Sequence, residues 1–202
     1  VNALQLRSGA SVTVGTVINA AGPYARAIAA MAGVALPVEA RKRSVFVVSC
    51  PETLPGCPLV CDDSGVWFRP EGAQYICGCS PEAASDREDF SVEPDHAFFE
   101  AAVWPALAAR VPAFASLRVT GAWAGHYEYN SFDQNGIVGF HPEVRNFMLA
   151  NGFSGHGLQQ SPAVGRAVAE LIAYSEYRTL DLSELAFERI AAGRPVREMG
   201  IY

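Results

Sequence analysis

Three glycines in six residues, Gly152-Phe153-Ser154-Gly155-His156-Gly157, separate an apolar run, Phe147 to Leu149, from a long helical pattern through Val164, Val168, Leu171 and Ile172. A strand that turns into a helix over so short a distance leaves backbone N–H groups and the positive end of the helix available to a phosphate, an oxyanion or a polarised carbonyl. The plainer reading is a tight turn that needs glycine for its backbone angles. Two familiar patterns do not fit. A nucleophile elbow would need Gly at His156, and a dinucleotide fingerprint begun at Gly155 would need Gly at Gln160.

A second strand-to-helix turn stands near the start. The run Thr16-Val17-Ile18 ends at Asn19-Ala20-Ala21-Gly22-Pro23, and Tyr24, Ala27, Ile28 and Met31 follow at helical spacing until Gly33. Ahead of it, Leu4 and Leu6 with Val12 and Val14 flank Ser8-Gly9, which predicts a hairpin. From Arg41 to Cys79 short apolar runs (Val45 to Val48, Leu59-Val60, Val66 to Phe68, Tyr75 to Cys77) alternate with Pro, Gly and Asp, the pattern of an antiparallel sheet. An acidic loop, Ser80 to Glu93, leads to a helix opened by Pro94-Asp95. That helix carries Phe98, Phe99, Ala102, Val103 and Leu107 inward, and Pro105 and Pro112 are expected to interrupt its tail.

Leu117 to Tyr129 is a further strand, Asn130 to Gly136 a polar turn, Ile137-Val138 a short strand, and Leu182 to Ile190 one amphipathic turn. The mixture lacks the regular alternation of a complete doubly wound sheet, so the fold class is α+β, or half of a larger α/β protein. The boundaries follow as residues 1–38, a sheet domain at 39–130, a return to the first domain at 131–178, and a tail at 179–202.

Composition narrows the function. Half of the 202 residues are apolar and 18% are charged, which suits a compact fold, and the net charge of -6 disfavours nucleic acid. The apolar stretch Ala27 to Val38 is too short for a membrane span, and no signal peptide is visible. Cys50, Cys57, Cys61, Cys77 and Cys79 have neither disulfide-framework nor zinc-ribbon spacing and are expected to be reduced thiols in a cytoplasmic protein. Lys42 is the sole lysine, a skew expected of a GC-rich bacterial gene. Arg41-Lys42-Arg43 is predicted to be a solvated strand entry. The opening at Val1, without an initiator Met, predicts a fragment whose N-terminal half is missing.

Along Trp123-Ala124-Gly125-His126-Tyr127-Glu128-Tyr129, strand alternation places Trp123, Gly125, Tyr127 and Tyr129 on one face and His126 and Glu128 on the other. An aromatic face beside a glycine-rich loop can floor a planar ligand, or it can cover an ordinary core.

These two segments, Trp123 to Gly136 and Gly152 to Pro162, resemble the C-terminal portion of FAD-dependent oxidoreductases of the D-amino-acid oxidase superfamily, the group of glycine oxidase, sarcosine oxidase and the sarcosine and dimethylglycine dehydrogenases. The similarity runs over nearly the whole chain. It implies a fragment of a two-domain protein: part of an FAD-binding α/β domain plus an antiparallel-sheet substrate domain that roofs the flavin. It implies that Ala21 and Gly22 lie on the FAD side of the nucleotide domain. The backbone of Gly155, His156, Gly157, Leu158 and Gln159 is implied to meet the pyrimidine end of the ring, where a helix N-terminus stabilises negative charge. His126 stands where monomeric sarcosine oxidase bonds its flavin through a cysteine, so that thioether is absent. Ile76 and Gln159 stand where that enzyme carries lysines, the first of which promotes reaction with oxygen. These departures favour a dehydrogenase that passes electrons to an unidentified acceptor.

The implied activity is oxidation of a C–N bond in a small amino acid or a secondary or N-methylated amine, by hydride transfer to flavin N5 and hydrolysis of the imine. Trp123, Tyr127 and Glu128 are the residues expected on the substrate side. The fragment alone is expected to hold FAD weakly or not at all, because the pyrophosphate-binding turn belongs to the missing half. The competing reading is a non-catalytic flavoprotein-like scaffold or assembly factor that works through protein contacts.

Overall fold

A computed structural model describes residues 1–200. In chain order the elements are β1 (Ala3–Gln5), β2 (Ser11–Thr13), β3 (Val17–Asn19), α1 (Ala25–Met31), β4 (Val38–Ser49), β5 (Val60–Cys61), β6 (Val66–Glu71), β7 (Gln74–Cys79), α2 (His96–Phe98), α3 (Trp104–Arg110), β8 (Arg118–Asn130), β9 (Ile137–Phe140), β10 (Phe147–Asn151), α4 (Gly157–Tyr174) and α5 (Glu188–Ala191). The chain forms two compact units. Among the described residues, one joins Val1–Ala40 to residues 127–200, and the other is Arg41–His126. The sheet region read from sequence as 39–130 is thus trimmed at both ends, and residues 179–200 of the tail count with the first unit.

In the first unit, β1 and β2 form the expected hairpin with Leu4 opposite Val12, and both strands are exposed. Strands β3, β10 and β9 make a three-stranded sheet, β3 parallel and β9 antiparallel to β10. The central strand β10 is covered on both faces, which is why it reads as an unbroken apolar run. Phe147 and Leu149 join Val17, Ala25, Ala29, Leu36, Val38 and Ile137 in one core, while Met148 joins Val138, Phe153 and Val168 in another. Helix α1 turns Ala25 and Ala29 inward and leaves Met31 82% exposed and Tyr24 exposed. Of the residues at helical spacing, Tyr24, Ala27, Ile28 and Met31, Ile28 packs against this core while the others face outward. Pro162 lies inside α4 without breaking it, and the hydroxyl of Ser161 donates to the Leu158 carbonyl at 2.8 Å, the acceptor that proline's missing N–H would have used.

The second unit is the expected antiparallel sheet, in the order β5-β6-β7-β4-β8. Phe46 and Phe68 both pair across strands with Cys77. They form a core with Val48, Val66, Tyr75, Phe99, Val103, Leu107 and Phe114. The helix from Asp95 does not stop at Pro105. A π-helical turn, Phe99–Val103, shifts the hydrogen-bond ladder, Pro105 falls in the first turn of α3, and the helix runs on to Arg110.

Arg41-Lys42-Arg43 is not the solvated entry expected. Arg43 is buried and grips Asp86 with two nitrogens, both at 2.8 Å. Lys42 meets Asp89 at 2.8 Å and the Ser91 hydroxyl at 2.9 Å, and Arg41 makes a backbone bridge to Glu88. The acidic loop and the basic strand neutralise each other. All five cysteines are free, and burial pushes the Cys77 thiol up to about 12. Among the described residues no helix is long and apolar enough to cross a membrane, and no cluster of His, Cys, Asp or Glu could hold a metal ion.

Candidate functional site

The parallel strands β3 and β10 both run out into helical segments, β3 into a 3-10 turn at Gly22–Tyr24 and β10 into α4. In open α/β sheets the crevice beyond the carboxyl ends of parallel strands is where ligands bind. Two asparagines at these strand ends tie the turns together. Asn151 donates to the Asn19 carbonyl at 2.9 Å. Asn19 donates to Ala25 O at 2.8 Å and accepts from the Ala21 N–H at 3.3 Å. The side-chain oxygen of Asn151 is buried and has no hydrogen-bond partner among the described residues.

In the loop from Gly152 to Gly157, Ser154 donates to the Glu128 carbonyl at 3.3 Å. His156 donates to Phe153 O at 2.9 Å. The N–H groups of Gly155, Gly157, Leu158 and Gln159 donate to no protein acceptor among the described residues. No side chain caps α4, and Leu158 and Gln159 are exposed. These amides and the helix N-terminus together present partial positive charge to whatever binds there.

Glycine is required at Gly155 on two counts. Its φ is +98°, and a Cβ would lie 2.7 Å from the Tyr127 ring. Ser154 takes φ +49° in spite of its side chain, held because its hydroxyl accepts from the Asn130 N–H at 2.9 Å. Asn130 in turn organises the polar turn that follows it, donating to Asp133 at 2.9 Å and accepting from the Phe132 N–H at 3.0 Å. Asp133 is fully buried and paired with Arg189 at 2.7 Å, and Arg189 also donates to the carbonyls of Leu185, Asn135 and Gly136.

The first unit therefore gathers Ala21, Gly22, Tyr127, Glu128, Gly155, His156, Gly157, Leu158 and Gln159. Tyr127 and Glu128 point to opposite faces of β8, and both meet the loop because it crosses the strand at the Glu128 carbonyl. The Glu128 carboxylate lies 4.0 Å from the position of a Cβ on Gly22 and 3.4 Å from one on Gly157, so it sits between the two turns. Burial raises its pKa above the ordinary carboxylate value, partly offset by the Gly152 and Phe153 amides. His156 is the N-cap residue of α4, with Nδ1 4.0 Å from Glu198.

Trp123 and His126 belong to the Arg41–His126 unit. Trp123 is 47% exposed, and His126 places Nε2 2.9 Å from the Ser91 carbonyl. Ile76 is buried in β7. Sequence reasoning missed Asn19, Asn151, Asp133 and Arg189. The turn chemistry of Asn130 to Gly136 was a visible signal, but a partner 56 residues away from Asp133 was not.

Comparison with known proteins follows the same outline. The profile of the DAO family, described as FAD dependent oxidoreductase, matches residues 1–171. FAD-dependent oxidoreductase domain-containing protein 1 of Xenopus laevis is 50% identical over 206 residues, covering 95% of this chain and 41% of its own length. Human mitochondrial sarcosine dehydrogenase is 28% identical over 81% of this chain and 18% of its own. Among solved structures, L-proline dehydrogenase from P. horikoshii superposes with a TM-score of 0.83 at 26% identity, over 96% of this chain and 51% of that one. Glycine oxidase from Geobacillus kaustophilus, at 22% identity and a TM-score of 0.78 over 98% of this chain and 49% of that one, shares the fold. The chain thus spans less than half the length of the curated relatives it matches. The relatives at 42% identity and above are animal proteins, which lends no support to a bacterial reading of the arginine-rich composition.

Proposed function

Because this chain belongs to the DAO family of FAD-dependent oxidoreductases, we propose that the whole protein oxidises the C–N bond of an amino acid or of a secondary or N-methylated amine. The observation that carries this reading is the set of unpartnered amides at Gly155, Gly157, Leu158 and Gln159, at the head of an 18-residue helix and beyond the ends of two parallel strands. The residues fit the cofactor. A loop that exposes backbone donors and positive helix potential suits the electron-poor, oxygen-bearing edge of a flavin, and the unpaired Asn151 oxygen lies one residue before that loop.

When bound, FAD supplies the electron-pair sink, accepting hydride from the carbon that bears nitrogen, and water hydrolyses the resulting imine. The chain's own part is to bind and orient. The free amides of Gly155, Gly157, Leu158 and Gln159 stabilise negative charge where it develops, and the small residues Ala21 and Gly22 permit close approach of the nucleotide. Tyr127, whose ring packs against Gly155, is assigned to the substrate side, where aromatic surface orients a small amine and excludes water. A substrate amine that arrives neutral needs no general base from the chain. His126, Ile76 and Gln159, where an oxygen-using relative has cysteine and lysines, support electron transfer to a carrier.

The test is Gly157→Val in the whole protein. A Cβ there would already stand 3.4 Å from the Glu128 carboxylate and 3.5 Å from Phe153 Cβ, and two further methyl groups would fill the space in front of the free amides. The expected result is loss of bound flavin with the far-UV spectrum and cooperative melting retained. Normal flavin content in that variant overturns the assignment.

A further inference from the structure

A segment without regular structure stays loose unless something ties it down. Residues 196–200 are tied to the turn that carries Asp133. The Val196 N–H donates to the Asp133 carboxylate at 3.0 Å, the Glu198 N–H donates to the Asp133 carbonyl at 3.1 Å, and the Asn135 side chain donates to the Val196 carbonyl at 3.1 Å. Val196, Glu198 and Gly200 are partly covered while Arg197 and Met199 are exposed, the period of two of an extended chain with one side laid against the protein. That side reaches the head of α4. Oε1 of Glu198 accepts from the N–H groups of Met199 at 2.9 Å and Gly200 at 3.2 Å, which folds the carboxylate over its own turn. Oε2 then stands 4.0 Å from Nδ1 of His156, and a Cβ on Gly200 would lie 3.8 Å from Cε1 of the same ring.

His156 is the N-cap residue of α4, and no side chain caps that helix. The loop leading to it passes through the left-handed region at Gly152, Ser154 and Gly155, with φ of 79°, 49° and 98°. Backbone of that kind persists only where its surroundings enforce it. The Asn130 N–H, bonded to the Ser154 hydroxyl, enforces the first half of the loop. The second half ends at a residue whose side chain meets the tail. We propose that residues 196–200 are a strap on the head of α4, with Glu198 as its positioning residue: the carboxylate seats the His156 ring, and through it the free amides at Gly155, Gly157, Leu158 and Gln159, for the flavin. This rests on the reading of that loop as the flavin-facing segment. It extends that reading to residues beyond the 1–171 that the DAO profile matches. A carboxylate facing Nδ1 favours the ring tautomer that carries its proton there, and so fixes which edge of the imidazole turns to the tail. The two side chains are 23% and 29% exposed, so water screens the attraction, and its effect is one of orientation more than of stability.

The experiment uses the whole protein, free and with added FAD, as wild type, Glu198→Gln, His156→Ala and the two combined. Glu198→Gln keeps a side-chain oxygen for the Met199 and Gly200 N–H groups and puts an amide donor where the charge faced Nδ1. In the free wild type in alkaline buffer, the nitrogen NMR shifts of the His156 ring should place the proton on Nδ1. In Glu198→Gln they should place it on Nε2. Each single variant should bind FAD roughly threefold more weakly, the scale of a partly exposed charged contact, and the double variant no more weakly than either. Amide protection in β10 and in the interior of α4 should be kept throughout. Unchanged ring shifts in Glu198→Gln overturn the proposal, since Glu198 would then not govern the ring. So do additive losses in the double variant, unchanged FAD affinity in the single ones, or loss of protection across the unit, which would make the tail only a part of the fold. A wild-type protein that takes up no FAD overturns the cofactor reading and with it the purpose of the strap, and is told apart because the ring shifts are recorded without FAD.

Discussion

The two units of this chain are held together by different chemistry. The core of Arg41–His126 is aromatic: Phe114 meets Phe68 and Tyr75 at ring-centroid distances of 5.0 and 5.1 Å, and Phe46 meets Phe99 at 4.6 Å. Its only buried polar side chains among the described residues are Arg43 and Ser44. The other unit buries Asn19, Asn130, Asp133, Asn151, Ser154 and Arg189, which are linked to one another or to the turns beside them. An apolar core is non-directional and tolerates repacking. A buried polar network is directional, and each member fixes a backbone segment to within a hydrogen bond's length. The unit that must hold loop amides in a set geometry is the one that carries the network, and the unit that only has to present a sheet is the one that does not.

The largest effect is expected where that contrast is sharpest. Asp133→Ala leaves Arg189 buried without its carboxylate, and also removes the acceptor of the Val196 N–H at 3.0 Å. The expected cost is about 3 to 5 kcal/mol to the unit that contains it. Trp67, Trp104 and Trp123 all lie in Arg41–His126, so amide exchange should report the loss in the first unit while tryptophan fluorescence keeps its urea midpoint. An equal fall in the fluorescence midpoint would break the comparison, because the two units would then unfold as one.

Phe114→Leu is the reciprocal change. It removes edge contacts and some volume from the aromatic core, for an expected loss of about 1 to 2 kcal/mol. The fluorescence midpoint should fall, and alkylation of Cys77 should speed up, since that thiol is buried with its pKa near 12 and becomes reactive only when the unit opens. Exposed Cys61 should label first in both proteins.

The smallest effect concerns pH. The Thr179 hydroxyl and the Arg178 N–H donate to Glu170 and hold its pKa at about 2, below the ordinary 4.5. A carboxylate depressed on folding stabilises the native state fully above its unfolded value and loses that contribution as pH falls through the folded one. Protection of the Arg178 and Thr179 amides should therefore persist at pH 5 and fade towards about pH 2. Glu170→Gln should remove that dependence, and a pH-dependent Glu170→Gln would assign it to another group.

Much of this was legible beforehand, for reasons that differ from segment to segment. The antiparallel sheet could be read because each of its strands is short, apolar and closed by Pro, Gly or Asp, so the signal is local. The glycine loop could be read because left-handed backbone and a helix start both leave marks within a few residues. Pro105 misled because a π turn upstream absorbs it, and no propensity records such a shift. Arg41-Lys42-Arg43 misled because its partners, Asp86 and Asp89, are more than forty residues on, and charge in a sequence looks solvated until something folds over it.

The hydrophobic periodicity, the turn residues and the glycines were thus enough to place most of the elements, their order and the glycine loop that leads into α4, since each depends on neighbours in the chain. Which amides are left free was decided only by the folded structure. It depends on Ser154 meeting the Glu128 carbonyl and Asn130, and on Asp133 finding Arg189. Hydrogen bonds between residues far apart in sequence are selected by distance and angle in three dimensions, and a one-dimensional pattern carries neither.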